Sequence, residues 1–134
     1  MRFRIFEWID PRTGEGAWSS AYYSLESAGQ AAADARALYL RDQPPRMWID
    51  PHARKLAWHQ NPDCKDIYEI RFKAHGVQQR PLGYFGPHLG IFTVVLWATH
   101  KGNQWRPKGF CRIAKQRWQN VQNHGASIRE IEID

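Results

Sequence analysis

The chain reads as an α+β protein: a first strand and helical segments, then a run of strands, then a last helix. Three observations predict this class. Apolar residues recur at helical spacing from about Ser24 to Tyr39, at a period near two between Ile67 and Ala98, and at helical spacing again from Phe110 to Val121. Helices and strands segregated in this way give an α+β fold with a largely antiparallel sheet, rather than alternating βαβ units. The 134 residues, 43% hydrophobic and 24% charged, suit one globular domain spanning 1–134.

Each element has its own signal. Phe3 and Ile5 alternate with Arg2 and Arg4 up to Trp8, which predicts a strand ended by Asp10-Pro11, Gly14 and Gly16. Ser24 is a candidate N-cap for a helix carrying Leu25, Ala28, Ala32, Ala35 and Tyr39, stopped by Pro44-Pro45. A shorter helix is expected from about Arg46 to Trp58, with Pro51 inside it. After Asn61-Pro62-Asp63, the stretch 67–72 sets Tyr68, Ile70 and Phe72 on one face and Glu69 and Arg71 on the other.

Arg80–Phe85 is a second strand in which Pro81 cannot donate to a ladder, so an edge or a bulge is expected. Phe92–Ala98 is apolar on both faces and predicts a central strand. These three strands form an antiparallel meander. A loop is expected from His100 to Pro107, then a helix buried through Phe110, Ile113, Ala114, Trp118 and Val121, with Lys108, Arg112 and Lys115 on another face. The alternating tail 128–133 predicts a last strand.

Composition narrows the function. Residues 1–66 carry nine basic and nine acidic side chains, so the net charge of +6 arises beyond them. Between Ile70 and Arg129 lie ten Lys or Arg, four of the six His, and no Asp or Glu. A stretch of one sign is the electrostatic footprint of a polyanion binder, most often a nucleic-acid binder. Glycine-rich phosphate loops, HExxH helices, nucleophile elbows and EF-hands are absent from the sequence, which disfavours those enzyme classes. Scarcity of carboxylates in the basic half also disfavours a two-carboxylate glycosidase or a magnesium nuclease. His52 and His59 have no third ligand in reach of the pattern, and no metal or other cofactor is expected. Cys64 and Cys111 fit no zinc spacing and are expected to be free thiols. No apolar stretch is long enough to cross a bilayer, and no signal-peptide core follows Arg4, so a cytoplasmic location is expected.

Metal-free RNA cleavage needs a base for the 2′-hydroxyl, cations for the crowded phosphorane and an acid for the leaving 5′-oxygen. Arg71, Arg80, His100 and Lys101 are the candidate catalytic residues, because three adjacent antiparallel strands can bring them to one surface. Lys73, Trp105, Arg106, Lys108, Arg112 and Lys115 are candidate RNA contacts, with Trp105 as a stacking residue.

The stretches Lys55-Leu56, Ile67–Phe72, Arg80–Gly86 and Phe92–Gly102, followed by Pro107 and Ile113–Arg117, resemble in order and spacing the RelE/HigB toxin superfamily, in particular its phage-derived RelE-like branch. The resemblance covers roughly residues 55–118. It implies a RelE-like fold and the toxin of a type II toxin–antitoxin system, an mRNA interferase acting on mRNA in the ribosomal A site. It also implies an antitoxin partner, expected to be of helix-turn-helix type. Arg71 matches the outward arginine of Glu-x-Arg, Arg80 the arginine opening the next strand, and Lys101 the lysine ending the central strand. Pro81 departs from the pattern, as does the lack of a tyrosine near the C-terminus. Tyr84 or His100 could supply the acid or base. Two other functions stay open: a ParE-like gyrase inhibitor, since fold does not fix function, which would not require Arg71, Arg80, His100 and Lys101, and a non-enzymatic nucleic-acid-binding phage accessory protein using Trp105, Trp118 and the Lys108, Arg112 and Lys115 stripe.

Overall fold

Arg4–Ile9 alternates as a strand should, burying Ile5 and Glu7 toward one side and Trp8 toward the other. This strand, β1, is placed in a computed structural model that describes residues 2–133. Two helices follow, α1 (Ser19–Tyr22) and α2 (Ser27–Arg41). Helix α2 starts after Glu26, not after the expected Ser24, whose hydroxyl instead donates to the Ala21 carbonyl at the end of α1. Ala33, Ala37 and Leu40 form its buried stripe.

The second helix expected over 46–58 does not form. Pro51 has no amide hydrogen to give to the Met47 carbonyl and its ring would clash there, so only a 3-10 turn, Pro45–Met47, survives before the short strand β2 (Ala53–Lys55). Trp48 is drawn out of this segment into an aromatic cluster with Phe3, Tyr68, Phe85 and Phe92.

The remaining strands are β3 (Tyr68–Ile70), β4 (Phe72–Ala74), β5 (Val77–Phe85), β6 (Ile91–Lys101), β7 (Gln104–Arg106) and β8 (Ser127–Glu130). Among the described residues they make one eight-stranded sheet, ordered β2-β3-β5-β6-β1-β8, with β4 also on β5 and β7 also on β6. The α+β class is as expected, but the sheet is larger than a first strand and a three-stranded meander. The predicted loop at 100–107 is instead the end of β6 and the whole of β7. Only the β1–β6 pairing is parallel. Strand β6 is central, as its two-sided apolar pattern predicts.

Pro81 sits inside the sheet rather than at its edge. The register on either side would set Ile70 opposite Pro81, and the partner strand breaks there into β3 and β4. One position further on, β6 bulges at Val95, since Leu82 pairs with Leu96 but Gly83 pairs with Val94. Gly83 is required at this approach, because a Cβ there would collide with the Thr93 carbonyl oxygen. Arg117 fixes the bulge by donating to the Val95 carbonyl at 2.9 Å while its guanidinium lies 4.1 Å over the Trp8 ring. Burial holds the Arg117 pKa below its ordinary value.

The two faces of the sheet are covered by different helices. α1, α2 and the Trp48 cluster cover one face, where Trp97 meets Trp18 and Phe72. The C-terminal helix α3 (Phe110–Gln122) covers part of the other, with Trp118 stacked on Tyr84 at 4.4 Å. No helix among the described residues is long and apolar enough to cross a membrane.

Cys64 and Cys111 are not free thiols. They form a disulfide that ties the 3-10 turn Pro62–Cys64 to the first turn of α3, both residues being buried. Their spacing in the chain gave no hint of this, since 47 residues separate them and only the folded sheet brings them together. Disulfides persist in oxidising compartments and are rare in a reducing cytoplasm, so the bond weighs against the cytoplasmic expectation. Closing a loop of that length is worth about 4 kcal/mol in the chain-entropy picture. Reduction should therefore lower the denaturant midpoint by an amount equivalent to as much as about 4 kcal/mol. Identical midpoints with and without reductant, or two alkylatable thiols in protein refolded under oxidising conditions, would contradict the bond.

Candidate nucleic-acid interface

Strand register brings one set of side chains into line on the α3 side of the sheet. Lys73 pairs with Gln78, Gln78 with His100, and His100 with Trp105, so four residues from β4, β5, β6 and β7 form a row perpendicular to the strands. At about 4.8 Å per strand the row is roughly 14 Å long. Lys73 is exposed, and Gln78, His100 and Trp105 are half-buried, so the row lies at the surface. The His100 and Trp105 rings stack at 5.0 Å, and Trp105 stacks on Phe110 at 4.1 Å, extending the row onto the start of α3.

A second tier lies one step along the strands. Glu69 is completely buried, yet its carboxylate is held by three guanidinium groups. Arg71 Nη1 lies 2.7 Å away, Arg54 Nη2 3.2 Å and Arg80 Nε 4.0 Å. A buried carboxylate persists only with such partners. Arg80 is itself buried, donating to the Gln79 carbonyl at 2.9 Å and to Gln78 Oε1 at 3.0 Å. It thereby links the Glu69 cluster to the row. Burial first, and then the neighbouring Arg71 charge, hold the Arg80 pKa below the usual arginine value, while Glu69 opposes them.

Arg71 is more accessible than Arg80, though less than Arg54, and also pairs with Asp50 at 3.4 Å. Its carbonyl accepts from Arg36, which reaches over from α2 and also donates to the Pro51 and His52 carbonyls. Arg36, Asp50, Arg71, Lys73, Gln78 and Arg80 line a cleft of about 410 Å³. With Arg54 and Glu69 beside it, five cations meet two carboxylates, which leaves an excess of positive charge at the cleft.

The expected site residues divide accordingly. Arg71, Arg80, His100, Lys73 and Trp105 share this face. Lys101 does not join them, because consecutive strand residues point to opposite faces and His100 takes the inward row. Arg106, next to Trp105 in β7, is turned away for the same reason. Trp105 lies in the row, but between the His100 and Phe110 rings, so it is one layer of a stack rather than an open platform. Lys108 and Arg112 are exposed at the start of α3, and Lys115 lies 4.9 Å over the Trp118 ring. Tyr84, a candidate acid or base, is shut beneath α3 and burial pushes its phenol up to about 12.

Four residues of the cluster escape the sequence reading as site residues: Arg36, Arg54, Glu69 and Gln78. Glu69 was visible in the Glu-x-Arg alternation, whereas the other three depend on pairings between distant segments. The chain matches no protein-family model, and comparison with curated proteins and with solved structures also gives no match.

Burial of Tyr84 has a measurable sign. Its folded-state pKa lies above the ordinary value of about 10, so the unfolded chain ionises first. Stability present below about pH 10 should be lost toward pH 12, by up to about 1.4 kcal/mol per pH unit. Tyr84→Phe should flatten that alkaline loss in urea unfolding. An unchanged slope would show that Tyr84 ionises in the fold as it does in water.

Proposed function

We propose that the protein is a metal-independent endoribonuclease that holds single-stranded RNA along the Lys73–Gln78–His100–Trp105 row, with the scissile phosphate over the Arg71 and Arg80 cleft. The row carries the reading: register alone sets a cation, an amide, an imidazole and a stack of rings on one accessible line beside a preorganised guanidinium cluster. The attacking 2′-oxygen forms a bond to phosphorus as the bond to the 5′-oxygen breaks, leaving a 2′,3′-cyclic phosphate and a 5′-hydroxyl. His100 is the imidazole of the row, half-buried at the surface, and takes one of the two proton-transfer roles, with water serving the other. Arg71 and Lys73 meet the developing negative charge. Glu69 is too buried to touch RNA and acts by positioning Arg71 and Arg80. Lys101, turned to the far face, has no part in this chemistry.

The resemblance of residues 55–118 to the RelE/HigB superfamily extends the proposal. We read the α+β sheet as RelE-like, the substrate as mRNA on the ribosome, and the activity as that of a toxin restrained by a helix-turn-helix antitoxin. In a reducing cytoplasm Cys64 and Cys111 would remain as buried thiols, and the strand pairing that builds the row does not depend on their bond. Burial of Arg80, whose donors are spent within the protein, favours a second reading in which this face binds nucleic acid without cutting it.

Removing one transition-state donor costs about a hundredfold to a thousandfold in rate. Arg71→Ala and His100→Ala should each lower the rate of mRNA cleavage on ribosomes by that order, with chelator present throughout. Lys115→Ala should change half-saturation more than maximal rate. Arg80→Lys, checked by thermal unfolding, should keep the fold and lose rate. Cleavage indifferent to Arg71 and His100 would move the chemistry away from this cleft, RNA bound but never cut would replace the nuclease with the binding function, and intact mRNA with reduced supercoiling in cells would point to gyrase.

Salt dependence gives an independent check. If about four phosphates are engaged, single-strand binding should follow a log–log slope near −2.8 and weaken about fiftyfold between 50 and 200 mM salt. A slope near zero would assign this face to a protein partner.

A further inference from the structure

Beyond Trp105 the chain turns and enters α3, and the segment Asn103–Phe110 encloses a groove of about 690 Å³, within the range of small-ligand sites. We propose that this groove is a nucleobase subsite that holds the base of a nucleotide flanking the scissile phosphate, so that the protein selects single-stranded over duplex RNA. The proposal rests on the RNA reading of the row and adds to it a site for a base.

Four observations carry it. The groove opens where the row ends, with Trp105 on β7 two strand spacings across and two residues along from Arg80 on β5, roughly 12 Å away. Its chemistry is that of a base and its phosphate. Trp105, Phe110 and Pro107 supply apolar walls, Asn103 and Gln104 supply amide donors and acceptors for a base edge, Lys108 supplies a cation, and no carboxylate lines it. Its rings are already parallel, the Trp105 plane lying within 22° of His100 and 15° of Phe110. A planar base aligned with them continues a stack, and any of the four bases offers a π-face. Finally, the wall is fixed without the disulfide, since Phe110 opens α3 and stacks on Trp105 at 4.1 Å while Cys111 and Ala114 of the same helix are completely buried. A paired base cannot leave its stack without a cost in unpairing, so a pocket of this kind excludes duplex.

The test uses the full chain and a short single-stranded RNA made non-cleavable by 2′-O-methyl groups, so that binding is read apart from cleavage. A companion oligonucleotide has one nucleotide replaced by an abasic residue, moved position by position. With the wild-type protein, one abasic position should cost roughly fivefold to a hundredfold in affinity, the usual range for a stacked base. Phe110→Leu, which keeps apolar volume without an aromatic face, should weaken the intact RNA similarly and add nothing for the abasic one. Asn103→Ala, at an exposed turn, should alter the preference among bases at that position and leave thermal unfolding unchanged. Equal abasic penalties in wild type and Phe110→Leu, or duplex bound as tightly as single strand, would overturn the subsite. A protein that passes this cycle yet never cuts RNA keeps the subsite and loses the nuclease proposal. One that cuts RNA with a flat cycle keeps the nuclease and loses the subsite.

Discussion

The carboxylate of Glu69, sealed in the sheet among three guanidinium groups, is the interaction on which the candidate site depends. A buried ion pair contributes little net stability, but removal of one partner leaves the other charge stranded at a cost of about 3–5 kcal/mol. Arg71 and Arg80 are therefore held in place by an anion that no ligand can reach. Their positive field is turned outward, toward the cleft that also gathers Arg36 and Lys73. Arg80 carries the arrangement one step further through Gln78, whose neighbour in the sheet is His100. Charge and amide thus belong to one hydrogen-bonded network, with the imidazole as its cross-strand neighbour.

The backbone makes room for that network. Pro81 has no hydrogen to give at the point where β3 and β4 part, and the bulge at Val95 shifts β6 by one residue between Gly83 and Leu82. Because a bulge changes which residues share a face, it lets Thr93, beside Tyr84 under α3, and His100, beside Gln78, lie on one side of the sheet although seven residues separate them. Arg117 caps the carbonyl of the bulge from α3, so the helix both closes the core and fixes the register that builds the row.

Much of the fold is legible in the chain because its signals are local. The two-sided apolar run at 92–98 could only be a central strand, and the stripe through Ala114 and Trp118 could only be a buried helix. The segment 46–58 misleads, since its apolar spacing is helical while Pro51 in its interior forbids a helix and Trp48 is claimed by rings far away in sequence. The disulfide is illegible for the same reason: Cys64 and Cys111 meet only after β5 and β6 are in place. Of the site, Arg71 and Arg80 could be read from strand alternation. His100 and Lys101 show the limit of that reading, because adjacent residues of one strand cannot serve one face, and only the register decides which does. The row itself joins four strands and is written in no single stretch.

The central claim is that RNA lies along Lys73, Gln78, His100 and Trp105. The most direct measurement is a two-dimensional NMR titration of the labelled protein with a non-cleavable single-stranded RNA, following the His100 imidazole, the Trp105 indole and the Gln78 side-chain amide. The account predicts that these resonances move together and saturate at one RNA concentration, while the indoles of Trp18 and Trp48, buried on the opposite face, stay fixed. Shifts confined to the far face, or to the neighbourhood of exposed Tyr23 and Trp58 with the row unmoved, would contradict it.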